Sequence, residues 1–266
     1  MRLLLVMALM SVPAPAFALS CLFGVNGSLP ADGAVDVPLN VTPRVMITGA
    51  GDQSWTAELV ATDLSVVEVE VERLRSGTEA LLVVTPTAEL TADTLYEMRV
   101  FVDGEFFGEE GAIRFRTGDA VDNEPPAVAA IIEAYRNQEA NEWGDIDQVI
   151  VDVGASNEPV FHQLEFDPTP SFPSVDPVWG MSEDGSARSV WGGDGLCQNT
   201  GLIPDLRGGE LRITTFDMAG NAAETQVLSG DEVARGGCAC NSASSPAGVM
   251  VFGVALGLIG LRRRRR

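Results

Sequence analysis

Six consecutive residues, Val67-Glu68-Val69-Glu70-Val71-Glu72, alternate valine with glutamate without a break. A period of two puts three aliphatic side chains on one face of an extended chain and three carboxylates on the other. A helix would scatter both kinds around its circumference, so the segment reads as a half-buried antiparallel strand. Short strand-like runs of the same kind surround it: Arg44 to Ile47, Trp55 to Ala61, Val66 to Arg73, Ala80 to Val84, Tyr96 to Val102 and Ile113 to Thr117. Turn-forming residues separate them, beginning with Leu29-Pro30-Ala31-Asp32-Gly33. Six or seven short strands in about 90 residues predict a β-sandwich over residues 29–118.

A second unit is expected over 127–230, after an acidic linker, 119–126, that ends in Pro125-Pro126. Its clearest strands are Gln148 to Val153, Val160 to Phe166, Ala187 to Trp191, Leu211 to Phe216 and Ala223 to Leu228. Asp217-Met218-Ala219-Gly220-Asn221 forms a hairpin turn between the last two, with Gly and Asn able to take positive φ. Ile131 to Asn141 fits either a strand or a short helix, and Asp167 to Pro177 reads as a loop.

All 17 basic residues are arginine, and six of them lie at Arg2 and Arg262 to Arg266. The body therefore sets 11 basic residues against 38 acidic ones, a charge of −27. Such a body repels phosphate backbones and anionic lipid, which excludes nucleic acid as a partner. The ends carry a different message. Arg2, the apolar run Leu3 to Met10 and the small residues Ala16 and Ala18 predict a signal peptide, 1–18, cut after Ala18. Residues 19–28 then form a leader containing Cys21, and a lipoprotein cut before Cys21 is the competing reading. At the other end, Pro246 to Leu261 is apolar and uncharged and five arginines follow. Those 16 residues span roughly 24 Å as a helix, a marginal transmembrane length. The arginines place the end in the cytoplasm and the body on the far side.

Gly236-Gly237-Cys238-Ala239-Cys240, the apolar helix and the arginine run together resemble the MYXO-CTERM sorting domain of myxobacterial surface proteins. The resemblance covers roughly Gly236 to Arg266, within a sorting tail expected over 231–266. It implies a transient membrane anchor cut by a sorting protease of the myxosortase type, with Cys238 as the motif cysteine and Cys240 as its neighbour. The protein would then reside at the outer-membrane surface. The four glycines of the helix make it easy to unwind, which suits cleavage within the membrane.

Pro30 to Asn40, Leu90 to Tyr96 and Phe115-Arg116-Thr117-Gly118 resemble the bacterial Ig-like domain of the SbsA type. In that pattern Tyr96 ties its strand to the preceding turn through its hydroxyl. The segment from Ile47 to Gly51 departs from the pattern. Thr215 to Asn221 is similar to the final hairpin of bacterial Ig-like repeats. The expected fold is all-β: two Ig-like β-sandwich domains in tandem, a signal helix at the N-terminus and a transmembrane helix at the C-terminus.

With Cys238 and Cys240 assigned to the tail, Cys21 and Cys197 are left to the body and are expected to form a disulfide. The alternative leaves Cys21 lipidated or free. His162 is the single histidine and reads as structural, since one histidine builds no zinc site and no Gly-x-Ser-x-Gly elbow is present. No catalytic residue is expected, and no cofactor apart from a structural calcium ion that Asp119, Asp122, Asp217 and Asn221 could hold with hard oxygens. The function expected is a non-enzymatic surface protein with a structural, adhesive or scaffolding role. A surface glycan or protein partner fits that role. The alternative is a module for glycan or small ligands, its wall formed by Trp179 and Trp191, and the plainer reading puts both tryptophans in the core. An extracellular hydrolase is the remote third reading.

Overall fold

The computed structural model describes residues 24–141, 144–167, 176–194 and 206–234. It is all-β. The first half contains β1 (Gly24–Leu29), β2 (Ala34–Val37), β3 (Arg44–Thr48), β4 (Trp55–Ala61), β5 (Val66–Val67), β6 (Val69–Ser76), β7 (Glu79–Pro86), β8 (Leu95–Val102), β9 (Glu105–Phe106) and β10 (Ala112–Thr117). One sheet runs β1-β3-β7-β6; the other runs β2-β10-β8-β4-β5, with β9 paired to β8. Val45, Ile47, Leu82 and Val84 of the first sheet meet Trp55, Leu59, Met98, Val100 and Phe115 of the second in one buried cluster. The alternation of the sequence sets this face: Val67, Val69 and Val71 pack against the cluster while Glu68, Glu70 and Glu72 stay exposed.

The second half contains β11 (Ile131–Asn141), β12 (Gly144–Val153), β13 (Val160–Phe166), β14 (Val178–Ser182), β15 (Arg188–Asp194), β16 (Glu210–Phe216), β17 (Gln226–Ser229) and the short helix α1 (Gly230–Ala234). Its sheets run β11-β12-β15 and β14-β13-β16-β17. Val149, Val151 and Val190 of one face Leu164, Phe166, Val178, Leu211 and Ile213 of the other, and Val233 of α1 joins them.

Several elements differ from the sequence expectation. Residues 24–28, read as leader, belong to β1, which pairs antiparallel with β3. Two glycines, an asparagine and a serine give β1 almost no strand propensity, so its partner's backbone supplies the reason for its extension. Val66 to Arg73 is not one strand. It breaks at Glu68, where the chain leaves β4 for β7 and so crosses from one sheet to the other. Val178-Trp179-Gly180 lies in a strand, β14, that the sequence reading left out. Ile131 to Asn141 is a strand along its whole length. The last strand starts at Gln226, with only an isolated bridge from Phe216 to Ala222 before it. The signal peptide with Ala16 and Ala18, Cys21, Cys197, Cys238, Cys240 and the apolar tail lie outside the described residues. Among the described residues no helix is long and apolar enough to cross a membrane.

Candidate functional sites

Two places combine unusual chemistry with defined geometry. The first is the joint between the halves. On β3, Val45 and Ile47 point into the first core, so Arg44 and Met46 point out of it. That outer face does not meet solvent. Leu29, Met46 and Leu81 pack against Phe161, Trp179 and Met181 of the second half in a separate buried cluster. Arg44 is 7% exposed, and its guanidinium carbon lies 5.2 Å from the Phe161 ring centre and 5.3 Å from that of Phe216. Nη1 donates to the carbonyls of Thr42 and Asp217 at 3.3 and 3.2 Å. Burial lowers the Arg44 pKa to about 10, while the charge of Asp217 opposes the shift. The side chain stays charged, and aromatic faces replace part of its water.

The hairpin turn and the linker close the same joint. Thr42 donates its backbone N–H to the Met218 carbonyl at 2.8 Å and its hydroxyl to that of Ala219 at 3.2 Å. Gly220 has φ 92°, a left-handed turn conformation that glycine adopts freely, and it lies against Thr42 and Arg44. The Asn40 side chain clasps the Asp122 backbone, donating to its carbonyl at 2.7 Å and accepting its N–H at 2.9 Å. Asn221 Nδ2 donates to the same Asp122 carbonyl at 3.1 Å.

Three of the four residues expected to hold calcium therefore meet, but in other roles. Both carboxylate oxygens of Asp217 accept from Asn221 at 2.8 Å, one from the backbone N–H and one from the side chain. Asp217 is buried, and its pKa is raised mainly by that burial, with Asp122 adding to the shift and the Asn221 bonds opposing it. Burial also raises Glu158, with Asp217 and Asp122 contributing. Asp119 is exposed on the linker. Among the described residues, no three His, Cys, Asp or Glu side chains converge closely enough to hold a metal ion.

Trp179 is 3% exposed and belongs to the joint, so it offers no stacking face to a sugar. The side chain of Trp191 lies outside the described residues. The glycine after each tryptophan has a packing reason. A Cβ on Gly180 would stand 2.8 Å from Val190 Cγ2, and one on Gly192 2.7 Å from Val178 Cγ1. Only bare backbone lets β14 and β15 approach this closely. His162 is 1% exposed inside the second half. Its Nδ1 lies 3.0 Å from Thr215 Oγ1, and Nε2 has no hydrogen-bond partner in the structure described. Burial, assisted by Arg188, lowers its pKa to about 4, so the imidazole is neutral at pH 7.

The second place is a surface groove of about 560 Å³ at the linker end of the first half. Its walls are the turn from Thr62 to Val67 and the segment from Thr87 to Thr94, with Tyr96 at its base. The Tyr96 hydroxyl accepts the Thr91 N–H at 2.9 Å, the tie expected from the sequence. A smaller hollow of about 230 Å³ shares Thr87, Ala88 and Glu89 and reaches Asn40 and Thr42 beside the joint.

The sequence reading missed Arg44, Asn40, Thr42 and the groove. Arg44 carried one signal, a lone charge inside the apolar run Arg44-Val45-Met46-Ile47.

No family model matches the chain, and no curated protein matches it. Among solved structures, pullulanase from Anoxybacillus sp. LM18-11 aligns at 9% identity over 77% of this chain and 25% of its own, with TM-score 0.24. Pullulanase type I from Bacillus subtilis str. 168 complexed with maltose aligns at 12% identity over 75% and 24%, with TM-score 0.23. The FN1–FN3 domains of chicken CNTN1 align at 14% identity over 77% and 65%, with TM-score 0.23. The chain spans about a quarter of the pullulanases it matches. Likenesses at these scores carry no argument about activity.

Proposed function

We propose that the chain is an exported, envelope-anchored and non-enzymatic surface protein: two Ig-like β-sandwich domains in tandem, held away from the membrane by a C-terminal sorting tail. The first domain then begins at Gly24, because β1 belongs to its sheet. The observation that carries this reading is the joint. A buried apolar cluster, a desolvated arginine between two phenylalanines and a linker clasped by Asn40 and Asn221 leave little freedom between the halves. Ordinary inter-domain contacts within a chain permit relative motion unless they are large and apolar. A stiff tandem transmits position and load, which suits a structural or scaffolding element at a surface. The Tyr96 tie and the sheet crossing at Glu68 support the Ig-like assignment of the first half.

Fractionation with intact-mass analysis of the native protein tests the proposal. The expected product sits in the envelope fraction, begins at Leu19 or at a lipid-bearing Cys21, and ends near Cys238. A full-length chain with both termini intact in the cytoplasmic fraction would refute it.

A further inference from the structure

We propose that Met218 is an oxidation-sensitive peg of the joint: a peroxide converts its thioether to the sulfoxide, and the two halves then lose their fixed relation. The inference rests on the joint being stiff, as argued above, and not on how the chain is anchored.

The hairpin turn Asp217-Met218-Ala219-Gly220-Asn221 is otherwise made of small and polar residues, the ordinary composition of an exposed turn. Met218 is its one long apolar side chain, and it does not serve its own half. Every buried member of the first core lies between Val37 and Phe115, and Met218 is the one residue of the second half, among the described residues, that packs against that core. The same side chain packs against the joint cluster, so it bridges two apolar regions. The backbone around it is committed to the same contact. The Asp217, Met218 and Ala219 carbonyls accept from Arg44 Nη1, the Thr42 N–H and the Thr42 hydroxyl. An unbranched, flexible thioether fills an irregular gap of this kind well.

Exposure separates Met218 from the other methionines. Met46, Met98 and Met181 are 7%, 0% and 2% exposed, whereas Met218 is half-buried. Met1, Met7, Met10 and Met250 belong to the end segments that the proposed processing removes. An oxidant arriving from solvent therefore meets Met218 first among the described residues. The sulfur lone pair attacks hydrogen peroxide, an S–O bond forms as the O–O bond breaks, and water leaves. Sulfur is oxidised and the peroxide reduced. The product carries a strong acceptor where the side chain had none. The Thr42 N–H and hydroxyl and both nitrogens of Asn221 already donate elsewhere. A new dipole pressed between two apolar clusters is costly without a donor, so the peg withdraws and the clasp around it loosens.

The test uses the full-length chain, dilute hydrogen peroxide and hydrogen-exchange mass spectrometry. Peptide mapping should find one added oxygen at Met218 while Met46, Met98 and Met181 stay unmodified. The amides of Thr42 and Asp122, which donate to the Met218 carbonyl and to the Asn40 side chain, report on the joint. Those of β8 and β12 report on the two cores. Oxidation should speed exchange in the joint fragments by about tenfold or more and leave the core fragments as they were. Methionine sulfoxide reductases for both epimers should restore the protection. Met218→Leu conserves volume and should be protected and indifferent to peroxide, and Met218→Gln should exchange without peroxide as the oxidised chain does. Equal acceleration in Met218→Leu would overturn the proposal, as would oxidation of a buried methionine ahead of Met218. So would unchanged or slower exchange in the oxidised chain, the result expected if the Arg44 guanidinium captures the sulfoxide oxygen. Joint amides that exchange freely before any peroxide is added would overturn the stiff-tandem reading itself, and this inference with it.

Discussion

Glu79 makes a sharp test of how burial acts in this fold. It opens β7, and by the alternation of that strand it shares the outward face of Leu81, a member of the joint cluster. It is 6% exposed, and burial alone pushes its pKa from 4.5 up to about 7. The folded state therefore binds the proton more tightly than the unfolded chain. Stability from this residue is fully present below pH 4.5 and is lost as pH rises through 7. The rise corresponds to roughly 3 kcal/mol at about 1.36 kcal/mol per pKa unit. Glu79→Gln keeps the shape and removes the charge. Against the native chain it should be equal within about 0.5 kcal/mol at pH 4.5 and more stable by roughly 3 kcal/mol at pH 8.5. For a cooperative unit of this size that is a Tm gain of roughly 6–12 °C, readable by circular dichroism at the two pH values. Asp217 and Glu158 also carry raised pKa values, but they are present in both proteins and cancel in the difference. A Tm gap independent of pH, or a glutamine variant that is the weaker at pH 8.5, would refute the argument.

Arg44→Ala should remove two ring contacts and the bond to the Asp217 carbonyl, costing about 2–4 kcal/mol. Because that loss falls on the joint, scanning calorimetry should resolve one transition into two. The His162 imidazole, the only one in the chain, should titrate by NMR near pH 4 and not near 6.5. Its folded pKa is depressed, so its contribution to stability declines as pH falls from 6.5 toward 4. Tyr96→Phe deletes the hydroxyl that accepts the Thr91 N–H and should cost about 1–3 kcal/mol in urea denaturation, with the fold retained.

The strands that were legible from sequence are those with their own hydrophobic pattern. Trp55 to Ala61 and Val160 to Phe166 match the observed β4 and β13 residue for residue. Their alternate side chains decide their faces before any partner is known. β1 and β14 were not legible for opposite reasons. β1 has hardly any apolar content to show. Every residue of β14 is buried, because Trp179 and Met181 serve the joint while Val178 serves the second core. A strand that is covered on both sides loses the alternation by which strands are read. The break at Glu68 was hidden for a related reason: both sheets of the first half bury the same valine face, so the pattern runs on unchanged where the partner strand changes.

The joint shows why polar residues were the hardest to place. Asp122, Asp217 and Asn221 stand at a domain junction and carry good oxygen donors, and from composition a cation is the natural partner. Sequence order gives no sign that Asn40, 82 residues before Asp122, folds back to take the backbone of that same linker. Nor does it show that Arg44 comes to rest against Phe161 and Phe216. A buried polar group must be matched by something, and the choice between an ion and the chain's own amides is made by contacts across the two halves. The same logic explains Trp179. Its sequence context, Trp-Gly, is the same for a sugar-stacking loop and for a strand pressed against its neighbour. The deciding atoms are Val190 Cγ2 near Gly180 and Val178 Cγ1 near Gly192, and those close approaches exist only once β14 and β15 are packed. Residues whose role is set by a partner on their own strand were readable. Residues whose role is set by the other half were not, and in this protein those include most of the polar groups that looked functional.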